Sequence, residues 1–182
     1  MSFGPFKNAR QIQIALMGLA VLIVLFLAVG MGKSETLAEK GHRLFAGFTA
    51  IQGPEDAKKA AQAAGLSLEG DLVGFVDVAE WTPSGYSISG WVMSQSETAA
   101  EVVVGLYQGG RFLGVAQRDQ SREDVAKANE FPPELSDKVG YLLQGKEGCK
   151  GNENIVAVAL DATGHAAVLT VGDLALGCHE KK

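Results

Sequence analysis

Ala99-Ala-Glu-Val-Val-Val-Gly-Leu-Tyr107, Gln108-Gly-Gly-Arg111 and Phe112-Leu-Gly-Val-Ala-Gln-Arg118 follow one another without a break. Two β-prone runs are joined by four residues, two of them glycines that accept positive φ, so the stretch reads as a β-hairpin. Short runs of the same kind lie on both sides: Leu72 to Trp81, Tyr86 to Met93, Val139 to Leu143, Ile155 to Leu160 and His165 to Val171. Gly, Pro, Asp and Ser clusters separate them, and Asp161-Ala-Thr-Gly164 reads as a second hairpin turn. Seven short strands at close spacing predict a β-sandwich. Ser121-Arg-Glu-Asp124 supplies a cap and an acid three residues on, so Arg122 to Asn129 is expected to make one or two helical turns. Val102-Val-Val104 and Ile155-Val-Ala-Val158 are apolar at alternate and intervening positions alike. Such strands need cover on both faces, from helices of the chain or from another protein.

Before the strands the period changes. Between Ser34 and Ile51, the residues Leu37, Leu44, Phe45, Phe48 and Ile51 recur mostly at intervals of three, four and seven, an apolar stripe on a helix. The stripe is a candidate partner-binding surface at a membrane; packing on the chain's own domain is the alternative. A second helix is expected from Glu55 to Ala64, with Pro54 at its start, acids in its first turn and Gly65 as its stop.

Further toward the N-terminus, Ile14 to Met31 contains no charged side chain. At about 1.5 Å per residue it reaches roughly 27 Å, the thickness of a hydrocarbon core. A transmembrane signal-anchor helix is therefore expected over residues 11–32, after a cytoplasmic tail 1–10. A membrane-proximal helical linker 33–69 and an exported β-sandwich domain 70–182 follow. Lys7 and Arg10 precede the span, whereas Glu35 and Glu39 accompany Lys33 and Lys40 after it, which favours a cytoplasmic N-terminus. Cleavage after Ala28-Val-Gly30 is the competing reading, against the length of the apolar run. Ala28 and Gly32 stand four apart and offer a small-residue face for a second helix.

The chain has 182 residues, room for one ordinary domain beyond the span. All 21 acidic residues follow the span, so the exported part is acidic and nucleic acid is not an expected partner. The two cysteines, Cys149 and Cys178, both fall in that part, and an even count in an oxidising compartment predicts one disulfide between them. No Cys-x-x-Cys suggests redox chemistry.

Gly74-Phe-Val-Asp77, Ile88-Ser-Gly-Trp-Val92, the Gly109-Gly110 hairpin, Arg122-Glu-Asp-Val125, Gly140-Tyr141 and Ala159-Leu-Asp161 occur in a characteristic order. In that order, over residues 71 to 172, the chain resembles a small immunoglobulin-like β-sandwich module found among accessory domains of bacterial cell-surface glycosyltransferases and envelope proteins. The resemblance implies structural roles: Trp91 in the core between the sheets, Arg122 and Asp124 holding the helical insertion through charge-assisted hydrogen bonds. Tyr141 stands where the module usually has Phe, and no transferase domain is attached.

Reaction chemistry is not apparent. His42, His165 and His179 are scattered without metal-ligand spacing, and no Gly-x-Ser-x-Gly or Ser-x-x-Lys frames a nucleophile. Asp71, Asp77 and Glu80 lack calcium-loop spacing. No catalytic residue, metal or cofactor is expected. The sequence therefore predicts a non-enzymatic, single-pass protein of a bacterial inner membrane, with its domain in the periplasm. Its expected role is as an accessory or stabilising subunit, its partners the bilayer and the subunits of an integral-membrane complex. The alternative is a glycan-binding module in envelope polysaccharide or glycolipid handling. It would use Trp81 and Tyr86, which flank the Thr82-Pro-Ser-Gly85 turn.

Overall fold

The structure, a computed structural model, describes residues 34–82, 84–94, 101–128, 138–146 and 154–172. The expected span 11–32 with Ala28 and Gly32, the tail 1–10, Cys149 and Cys178 lie outside the described residues. Among those described, no helix is long and apolar enough to cross a membrane.

The chain is mainly β. Helices α1 (Leu37–Ala46) and α2 (Pro54–Ala63) precede strands β1 (Leu72–Thr82), β2 (Gly85–Ser94), β3 (Val102–Gln108) and β4 (Arg111–Gln120). A short α3 (Glu123–Ala128) leads to β5 (Gly140–Gly145), β6 (Ile155–Asp161), β7 (Ala166–Val168) and β8 (Thr170–Val171). The run expected as one strand from His165 to Val171 is thus divided at Leu169. Gly109 and Gly110 both take positive φ, +54° and +82°, and close the β3–β4 hairpin as its sequence requires.

Hydrogen-bonded neighbours run in the order β7-β6-β3-β4-β5-β2-β1-β8. Two sheets are joined along it: β1, β2, β5 and β8 with the end of β4 form one, and β3, β6 and β7 with most of β4 form the other. The chain changes sheet between β2 and β3 and again between β5 and β6, so β2 lies beside β5 and β3 beside β6, a Greek-key arrangement. Leu72, Val76, Trp81, Tyr86, Ile88 and Val92 of the first sheet meet Val102, Val104, Leu106, Ala116, Ile155, Ala157 and Ala159 of the second in the inner core.

Among the described ladders, the two sheets are joined near one end. β4 meets β5 through Arg118↔Tyr141 and Gln120↔Gly140, and at Leu169 the chain passes from β7, paired with β6, to β8, paired with β1. The β1–β2 and β3–β4 hairpins and the start of β6 lie at the other end, where the described ladders leave the sheets apart.

Every residue of β3 and β6 is buried. Their inner positions enter the core between the sheets, and Val103, Tyr107, Val156, Val158 and Leu160 turn outward against Leu37, Phe45, Phe48, Ile51, Ala57 and Ala61. The cover that these doubly apolar strands need therefore comes from α1, α2 and the segment between them. This corrects the reading of the stripe as a partner surface: Leu37, Phe45, Phe48 and Ile51 are buried, and Leu44 packs at the edge of the same cluster. Burial of each large apolar side chain is worth about 1.5–3 kcal/mol, so the helices are part of the domain's core rather than a linker. α1 begins at a capping box, Thr36 Oγ1 accepting from the Glu39 amide at 3.2 Å while the Thr36 amide donates to Glu39 Oε2 at 2.9 Å.

Candidate functional site

The scattered positions Asp77, Gly90, Trp91, Arg122, Asp124, Val125, Gly140 and Tyr141 converge on β1, β2, β5 and α3. Arg122, just before α3, donates from Nη1 to Asp77 of β1 at 2.5 Å, and from Nε and Nη2 to the two oxygens of Asp124 at 2.9 and 2.8 Å. Such paired, charge-assisted bonds fix orientation as well as adding energy. They raise the Arg122 pKa, chiefly through the hydrogen bond to Asp124, and hold Asp124 down to about 2 through the hydrogen bond from Arg122. Gly140 leaves the room that the Arg122 stem occupies, since a Cβ there would lie 2.7 Å from it.

Tyr141 points inward from β5, lies across Gly90 of β2 and donates to the Phe75 carbonyl of β1 at 3.2 Å, next to the β1 irregularity between Val76 and Val78. Burial raises its pKa well above the usual phenol range. Tyr86 makes the reverse crossing, from β2 over Gly145 of β5 to the Leu113 carbonyl of β4 at 3.1 Å. This geometry ties strands together; it presents no displaced proton or exposed nucleophile.

Trp91 is not between the sheets. On β2 the inward positions are Tyr86, Ile88 and Val92, and Trp91 shares the opposite face with Ser87 and Ser89. There it packs against a small cluster of Met93, Val125 and Val139 beneath α3. Trp81 and Tyr86 are likewise corrected as a glycan platform. They are only 7% and 8% exposed, their rings 6.5 Å apart inside the core, so neither offers a flat face to a sugar.

Near the β1–β2 and β3–β4 hairpins, the buried atoms Trp81 Nε1 and Gln108 Oε1 meet no hydrogen-bond partner among the described residues. Each such atom costs about 1–3 kcal/mol. Gln108 is 2% exposed, and Arg111 is its cross-strand neighbour. The sequence gives no signal for Gln108, since a polar residue beside a hairpin turn ordinarily faces water.

Asp161, another buried residue, accepts from the Thr163 amide and hydroxyl and from the His165 amide at 2.7–2.9 Å. Burial pushes its carboxyl up, but these hydrogen bonds outweigh it and leave the pKa lowered. Thr163 Oγ1 and Asp161 Oδ2 both approach the same ring nitrogen of His165, Nδ1, so the trio closes a turn and does not form a nucleophile relay. Asp71 accepts from Ser94 at 2.8 Å and Asp77 from Arg122. Among the described residues no group of three or more His, Cys, Asp or Glu side chains is placed to hold a metal.

The outer faces of the two sheets differ. The β3–β6 face is under α1 and α2, but on the β1–β2–β5 face Val78, Ser89 and Leu142 form a cross-strand row in which Val78 and Leu142 are each 40% exposed. Ser87, with Glu80 and Gln144 on its flanks, makes the next row. No protein-family model matches the chain, and no curated protein matches it significantly.

Proposed function

We propose that the chain is a non-enzymatic, membrane-anchored envelope protein whose β domain serves as an accessory subunit of a larger membrane assembly. The apolar run Ile14 to Met31 supports the anchor, and Lys7 and Arg10 just before it support a cytoplasmic N-terminus with the domain exported. The Greek-key order, with β2 beside β5 and β3 beside β6, supports the immunoglobulin-like form of sandwich. The observation that carries the accessory role is the unequal dressing of the two sheets. One outer face is buried by the chain's own helices; the other keeps Val78 and Leu142 half-open on either side of Ser89. With Glu80 exposed beside that row, the fitting partner presents apolar contacts bordered by basic residues. The glycan alternative loses the residues it rested on, because Trp81 and Tyr86 are in the core.

Gentle detergent extraction of native membranes, followed by size separation, tests the reading. Migration of the chain with a large membrane complex is the expected result. Migration alone as a monomer or dimer would overturn it.

A further inference from the structure

No further inference is drawn: the strongest candidate, the cleft of about 490 Å³ between β6 and β8 where the chain passes from one sheet to the other, is walled by Ile155, Val156, Leu169 and Val171, and nothing in the structure shows what covers it.

Discussion

Three tyrosines give their hydroxyls to backbone carbonyls of other strands or helices: Tyr141 to Phe75, Tyr86 to Leu113 and Tyr107 to Phe45, the last at 2.8 Å. Tyr differs from Phe by this hydroxyl alone, so the contribution of the Tyr141 hydrogen bond is separable. Tyr141→Phe is expected to lower stability by about 0.5–1.5 kcal/mol, read from the midpoint of urea unfolding, because only the hydrogen bond is lost. Gly90→Ala is expected to cost more than Tyr141→Phe in the same assay. A Cβ at Gly90 would collide with the Phe75 carbonyl and lie 2.6 Å from the Tyr141 hydroxyl, so the strut and the strand beneath it cannot both stay in place. Asp124 gives a pH signature. Its folded pKa, about 2, lies below its ordinary value, so what it contributes is complete above about pH 4 and is lost as pH falls toward 2. Asp124→Asn should therefore flatten the acid side of the stability curve over that interval while leaving the curve's shape above pH 5 unchanged.

At the scale of elements, α1 decides how the two ends of the sequence fit together. Phe45 is fully buried, with its ring against Gly105 of β3 and its carbonyl holding Tyr107. Phe45→Ala is expected to cost about 3–5 kcal/mol, a large part of the stability of a domain this size, and to show as a clear fall in thermal midpoint. Phe48→Asp should destabilise in the same manner, because it places a carboxylate in the α1–sheet interface. Strand positions were legible to within a few residues because β-branched runs alternate with Gly, Pro and Asp turns. The stripe Leu37 to Ile51 was legible as a helix face, but periodicity gives a face without saying what it meets. The answer lay in a second surplus, the outer positions of β3 and β6, and the two fit each other. The side on which Trp91 lies was also readable, since Ser87 and Ser89 share its face; the resemblance pointed the other way. The break at Leu169 carries no sequence signal, because a strand that changes neighbours keeps the same period of two.

At the scale of the whole molecule the asymmetry between the sheets bears on what the β domain does. Among the described residues, α1 and α2 cover one outer face, and on the other α3 packs at the corner near Val73, Trp91 and Met93. Val78 and Leu142 remain 40% exposed on one cross-strand row, beside Asp77, which Arg122 ties to Asp124. A preformed, rigid apolar surface loses little entropy on docking, which favours a stable contact over a transient one. Single exposed apolar residues are ordinary on soluble domains, so the pair must be judged by what replacing both does. Val78→Glu with Leu142→Glu adds charge where both side chains already meet water, and the fold should hold within about 0.5 kcal/mol. Under the proposed role the double variant migrates alone after gentle extraction, while its urea midpoint stays near that of the unaltered chain. Continued migration with the full complex at unchanged stability would exclude this face as the contact. Phe48→Asp is the contrasting control, since it is expected to lose both the midpoint and the association.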